Sequence, residues 1–296
     1  MISIKKYAAI DIGSNAMRLL ITNVVEQDNK ETQFNKSALI RVPIRLGQDA
    51  FTVGEISEEN IDRMTDAMKA FKLLMKVYKV EKYKACATSA MREAYNGKDV
   101  AAIIKQQSEI EIDIIDGKIE ASIIASSDLH GFLVTDKTYL YVDVGGGSTE
   151  FSLFSDGKIV ISKSFKNGTV RLLNNMVNDV VWHEIEKWIK CVTEQYENIT
   201  LIGSGGNINK LFKLSGKHQD KPLSYMYLNS QYQYLNSLTY EQRISELGLN
   251  TDRADVIIPA TMIYLNAMKW SGARQIYVPK IGLADGIVKA MYYNKI

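Results

Sequence analysis

Apolar and polar positions follow a pattern that occurs twice along the chain. Tyr7 to Ile12 is an apolar run interrupted only by Asp11; it leads into Gly13, Ser14 and Asn15 and is followed by a second apolar run from Met17 to Val25. This spacing predicts a strand, a tight turn and a second strand. The same grammar returns from Tyr139, where Asp143 precedes Gly145, Gly146, Gly147, Ser148, Thr149 and Glu150, and Phe151 to Phe154 continues as the second strand. The two aspartates stand 132 positions apart (143 minus 11), about one domain length.

A later echo supports the duplication. Tyr83 to Ala87 runs into Thr88, Ser89, Ala90, Met91 and Arg92, and Ile199 to Ile202 runs into Gly203, Ser204, Gly205, Gly206 and Asn207, so both predict a strand that turns into a helix. Between Glu58 and Tyr78, Ile61, Met64, Met68, Phe71, Met75 and Tyr78 recur at helical intervals, one amphipathic stripe. Strands alternating with helices in both halves predict an α/β fold of two domains. The boundary is expected between Ala121 and Lys137, where Ser126, Ser127, Asp128 and Gly131 dilute the pattern, giving domains 1–124 and 125–296.

Composition narrows the class. The chain has 296 residues, 46% of them apolar and 24% charged, enough for two buried cores and unlike a disordered or fibrous chain. Thirty-six basic against 34 acidic side chains leave a formal +2, so no global field draws the chain to nucleic acid or a membrane, and an anionic ligand needs a local site. The N-terminus lacks an apolar stretch long enough for a signal peptide, and Val256 to Met268 is broken by Pro259, Thr261 and Asn266, so a cytoplasmic protein without membrane spans is expected. Cys86 and Cys191 share no CxxC motif and read as buried, reduced thiols. His130, His183 and His218 are scattered, which argues against a zinc site or a serine triad.

The candidate chemistry lies in the turns. Glycines at 145–147 admit close approach and allow positive φ, which would aim successive amides at one phosphate. Ser148 and Thr149 add hydroxyls, and Asp143 and Glu150 bracket the loop with carboxylates that tolerate phosphate when a divalent cation lies between them. The plain alternative is a hairpin whose glycines serve only a tight turn. If the halves are related by pseudo-symmetry, Gly13, Ser14 and Asn15 face the 145–149 loop across an interdomain cleft. Gly203 to Asn207 reads either as a third phosphate loop or as glycines needed for packing. Arg92 reads as a phosphate ligand or an ion-pair partner of Glu93, and the lysines at 69, 72, 76 and 79 as a solvated face or a track for a polyanion.

Eight blocks, in order, resemble the exopolyphosphatase and guanosine pentaphosphate phosphohydrolase (Ppx/GppA) family: Ala8–Asn15 with Arg18–Ile21, Arg41–Gly47, Ala87–Ala94, Asp143–Glu150, Gly168–Leu172, Gly203–Asn207, Arg253–Ile257 and Gly282–Ile287. The resemblance implies two ribonuclease-H-like domains of the actin-like ATPase superfamily flanking a cleft, and Mg²⁺-dependent hydrolysis of the terminal phosphoryl group of polyphosphate or pppGpp. Its general base is a glutamate in a Gly-x-x-Glu-Ala motif, matched here by Gly117, Glu120 and Ala121. Many relatives carry a second glutamate where this chain has Ile119. The resemblance implies phosphate contacts at Gly13, Ser14, Asn15, Arg18, Arg92, Gly145, Gly146, Gly147, Ser148, Thr149 and Arg253, and Mg²⁺ ligands at Asp143, Glu150 and Asp11. It also implies the short two-domain form without the helical HD appendage, a last helix (Leu283–Tyr293) that returns to the first domain, and a homodimer. A non-catalytic polyphosphate or alarmone sensor, and an ATP-dependent small-molecule kinase of the same superfamily, are the alternatives.

Overall fold

Period-two alternation builds two mixed sheets, and helical stripes cover them. In the computed structural model, residues 2–125 and 137–296 are described. The stretch 126–136 takes in Ser126, Ser127, Asp128, His130 and Gly131, on which the expected domain boundary falls, and lies outside the described residues. The chain forms two compact units, residues 1–127 with 283–296, and residues 128–282.

Unit 1 runs β1 (Ile2–Ile12), β2 (Met17–Gln27), β3 (Gln33–Val42), α1 (Leu46–Thr52), α2 (Glu58–Tyr78), β4 (Lys82–Ala87), α3 (Ser89–Glu93), α4 (Gly97–Ser108), β5 (Ile112–Ile114) and α5 (Gly117–Ala125). Its strand order is β3-β2-β1-β4-β5, with β1–β3 an antiparallel meander and β4 and β5 added in parallel. Unit 2 runs β6 (Tyr139–Val144), β7 (Thr149–Ser155), β8 (Lys158–Phe165), α6 (Thr169–Leu173), α7 (Asp179–Thr193), β9 (Thr200–Ser204), α8 (Gly206–Leu214), β10 (Leu223–Ser224), α9 (Tyr225–Ser237), α10 (Tyr240–Ser245), α11 (Thr251–Ala254), α12 (Ile257–Ser271) and β11 (Gln275–Tyr277). Its order is β10-β11-β9-β6-β7-β8, the same meander followed by parallel strands, with β10 as an extra edge. The α/β duplication expected from the sequence is therefore present. The third strand of each meander was not foreseen. β3 and β8 are edge strands, largely solvent-facing, so burial imposes no clean alternation on them.

Sequence sets the ends of the elements. Ser57 caps α2, Glu58 and Glu59 complement its N-terminal dipole, and Lys79 ends it in a left-handed conformation at φ 56°. Lys79 therefore leaves the helix, and Lys72 is ion-paired with Glu109, so the lysine row is shorter than the sequence suggested. In unit 2, α12 is the central buried helix, with Ile257, Ala260, Ile263, Tyr264, Ala267 and Met268 enclosed. Its Pro259 sits in the first turn, where a missing amide costs no helical bond. No helix among the described residues is long and apolar enough to cross a membrane.

The helix α13 (Leu283–Tyr292) packs on α5, β1, β2 and β4 within unit 1. A side chain at Gly286 would collide with the Ile123 carbonyl, so glycine allows the close crossing of α13 over α5. Phe34 and Tyr292 meet edge to face with centroids 5.4 Å apart, and the Tyr292 hydroxyl donates to Glu26 at 2.8 Å.

Candidate functional site

Each unit ends its first strand in an aspartate and a turn, and the two turns share a hydrogen-bond plan. In unit 1 the Gly13 amide donates to the Ala16 carbonyl at 3.2 Å, and in unit 2 the Gly145 amide donates to the Ser148 carbonyl at 3.0 Å. A short helix backs each turn. Gly47 of α1 donates to the Ser14 carbonyl at 2.7 Å; at α6, the Thr169 amide donates to the Gly145 carbonyl at 3.0 Å and the Val170 amide to that of Gly146 at 2.8 Å, while Arg171 Nε reaches the Gly147 carbonyl at 2.7 Å. Because a trans peptide points its N–H opposite to its C=O, holding the carbonyls of 145–147 toward α6 turns the amides of Gly146, Gly147 and Ser148 away from it.

The expected reason for the glycines needs correction. Gly13, Gly145, Gly146 and Gly147 are not among the glycines with positive φ. They give room, not handedness. Gly168, the N-cap of α6, approaches the 145–147 turn so closely that a Cβ would overlap the Gly146 carbonyl. Gly205, at φ 118°, does take a positive φ where it turns β9 into α8. A Cβ there would lie 3.0 Å from the Val144 carbonyl and 3.6 Å from Asp143 Oδ1, so glycine keeps the space before that carboxylate open. Gly203 serves packing, since its Cβ would meet Ile276 and Ile208.

The charges differ between the units. Asp11 is opposite Arg18 in the β1–β2 register, and Arg18 Nη1 meets Asp11 Oδ2 at 2.7 Å. The equivalent pair in β6–β7 is Asp143 opposite Glu150, two acids. Glu150 is buried and its Oε1 accepts from Ser148 Oγ at 2.6 Å and Ser164 Oγ at 2.9 Å. Asp143 lies near the hydroxyls of Tyr141 and Tyr264, both pushed well above the usual tyrosine range, by burial first and by its charge second. Among the described residues no group of three or more His, Cys, Asp or Glu side chains has metal-holding geometry.

Several expected phosphate donors are already engaged. Ser148 donates to Glu150, the Thr149 hydroxyl donates to the Asn167 carbonyl, and Ser14 Oγ shares a hydrogen bond with Ser89 Oγ at 2.9 Å. Arg92, in α3, donates to the Ile115 carbonyl at 2.8 Å rather than pairing with Glu93. Arg253 lies half-buried on α11, and Asn15 lies in the first turn. Glu120 sits buried in the first turn of α5, its amide bonded to the Asp116 carbonyl at 2.9 Å. Cys86 is beside Asp11 in the β1–β4 register; burial, then the charge of Asp113, pushes its thiol up to about 12, and Asp11 and Glu120 add to the shift. Cys191 is exposed on α7, contrary to expectation, because α7 turns that face outward. His183 and His218 bond to the Asp179 carbonyl and to Asp220, each on its own. The sequence did not reveal that Gly47, Gly168 and Arg171 back the turns. A glycine or arginine shortly after the third strand of each meander was the available signal.

Comparison with known proteins matches this arrangement. The profile of the Ppx/GppA phosphatase family matches residues 24–294. The chain is 29% identical, over 97% of its length, to the bifunctional 3-dehydroquinate synthase/phosphatase of Fusobacterium nucleatum, and 26% identical, over 88% of its length, to a guanosine-5'-triphosphate,3'-diphosphate pyrophosphatase of Photobacterium profundum. It spans about half of these two relatives, 47% and 54% respectively. An exopolyphosphatase structure from Cytophaga hutchinsonii superimposes with a TM-score of 0.85 at 25% identity, covering 98% of both chains. The α/β units are those of the actin-like ATPase class to which Ppx/GppA structures belong. With a match that runs through both units, from β2 to the end of the last helix, the chain belongs to the Ppx/GppA phosphatase family.

Proposed function

We propose that the chain hydrolyses the terminal phosphoryl group of inorganic polyphosphate or of guanosine pentaphosphate, with Mg²⁺ as cofactor and Glu120 as general base. The observation that carries this reading is the opposition of Asp143 and Glu150 beside a turn whose amides face one way. Like charges directly opposite on a hairpin repel, and a hard divalent cation with oxygen ligands offsets that repulsion. The donor set fits Mg²⁺: both side chains are carboxylates, and Gly205 keeps the space before Asp143 clear. Asp11 has an oxygen committed to Arg18, so the cation is assigned to Asp143 and Glu150 instead. When bound, Mg²⁺ supplies neutralisation of phosphoryl charge.

The chain's own groups do the remaining work. The amides of Gly146, Gly147 and Ser148 donate to the terminal phosphate, a fixed set of dipoles that needs no reorganisation. Ser148 and Ser164 hold the Glu150 carboxylate in place. Gly13, Ser14 and Asn15 form the second turn, and Arg18, Arg92 and Arg253 bind phosphates further along the substrate. Glu120 takes a proton from the attacking water, and phosphoryl transfer needs little beyond such positioning and charge stabilisation.

The test incubates purified protein and Mg²⁺ separately with long polyphosphate, short polyphosphate, pppGpp and ATP, and measures released phosphate. Release from polyphosphate or pppGpp without an acceptor supports the hydrolase. ADP formation that requires an acceptor identifies a kinase, and tight binding without turnover over hours identifies a sensor. Glu120→Ala is expected to keep its fold and anion binding and lose hydrolysis by ~10² or more. A fully active variant removes the assignment.

A further inference from the structure

Unit 1 holds a cavity of about 550 Å³ at the edge of its sheet, within the range of roughly 300–1,000 Å³ common for small-molecule sites. Its walls are mainly apolar: Cys86 of β4, Ile112 and Ile114 of β5, and Ile119 and Ile123 of α5, with Lys98 of α4 also lining it. Ile119 is 44% exposed, a large aliphatic side chain left half open on a helix whose Ile123 and Ile124 are buried. Two other charges in the lining cancel, because Lys84 Nζ and Asp113 Oδ2 pair at 2.5 Å. Lys98 is exposed and makes no ion pair among the described residues.

We propose that this cavity binds an amphiphilic carboxylate, its aliphatic body against the isoleucine walls and its head group on Lys98. Apolar burial supplies most of the affinity, and one cation sets the sign and number of charges accepted. Cys86 is fully buried in that wall, out of reach of bulk water. Free phosphate suits the cavity badly, since most of its oxygens would lie against methyl groups without hydrogen-bond donors. The site uses none of the hydrolytic groups, so it stands or falls independently of the phosphatase reading.

The experiment is a calorimetric titration of the full chain with decanoate below its micelle concentration, with decanol, acetate and inorganic phosphate as comparison probes. Decanoate is expected to saturate one site. Acetate, lacking the body, and decanol, lacking the charge, should each bind about tenfold more weakly or not at all. Lys98→Glu and Ile119→Glu both change exposed positions and should each weaken decanoate by about tenfold while leaving the circular dichroism spectrum unchanged. If Ile119→Glu fails to fold, Lys98→Glu decides alone. Absence of saturation, equal binding of decanol, displacement by phosphate, or decanoate binding that Lys98→Glu leaves intact would each overturn the proposal.

Discussion

The two hairpins share topology and turn hydrogen bonding, yet seven residues after the strand-end aspartate one carries Arg18 and the other Glu150. In unit 1 the acid is neutralised within its own hairpin, at 2.7 Å. In unit 2 the acid stands opposite a second acid, and Glu150 accepts from the neutral hydroxyls of Ser148 and Ser164 at 2.6 and 2.9 Å. Duplication supplies two equivalent scaffolds, and one charge reversal separates a self-contained hairpin from one that calls for a cation. That difference concentrates the proposed metal chemistry in unit 2 and leaves unit 1 to supply Glu120.

The largest expected effect comes from erasing the difference. Glu150→Arg gives the second hairpin the charge plan of the first, and phosphate release should fall by ~10²–10³, the scale of losing a principal electrostatic stabiliser. Activity within tenfold of wild type would break the comparison. Next is Gly168→Ala, whose methyl meets the Gly146 carbonyl and pushes the turn out of register. Overpacking of this kind costs about 1–3 kcal/mol, measurable by denaturant unfolding, and it should reduce turnover more than it reduces stability-matched controls elsewhere on α6. Arg18→Met strands the nearly buried Asp11 carboxylate and should cost about 1–3 kcal/mol without removing Mg²⁺ dependence. Full loss of Mg²⁺ dependence in that variant would move the cation to unit 1.

The sequence made the hairpins, the paired strand-to-helix turns and the α/β class legible, because period-two alternation and strand-end acids are local signals. It concealed what depends on contacts distant along the chain. Gly168 looked like one residue of a family block, yet it lies against the 145–147 turn only because β8 brings α6 back beside that turn. Ser148 and Thr149 looked like phosphate donors, yet their hydroxyls are spent on Glu150 and on the Asn167 carbonyl. The positive φ expected at 145–147 occurs at Gly205 instead, since fixed carbonyls alone suffice to orient the turn's amides. Arg18 opposite Asp11 was readable in principle from the hairpin register, once the turn length is known.

The smallest effect concerns the thiol beside Asp11. With its folded value near 12 and its ordinary value at 9.0, Cys86 contributes stability that is whole below pH 9 and lost as pH rises toward 12. Cys86→Ala should flatten that alkaline decline, read as midpoint of unfolding against pH. In the native protein an alkylating reagent at pH 8 should label the exposed Cys191 and spare Cys86.

Calorimetric titration of Mg²⁺ into wild-type, Arg18→Met and Glu150→Arg proteins examines the cation assignment without passing through catalysis. One saturable site in wild type, kept in Arg18→Met and abolished in Glu150→Arg, is the predicted result. Undiminished Mg²⁺ affinity in Glu150→Arg would contradict it.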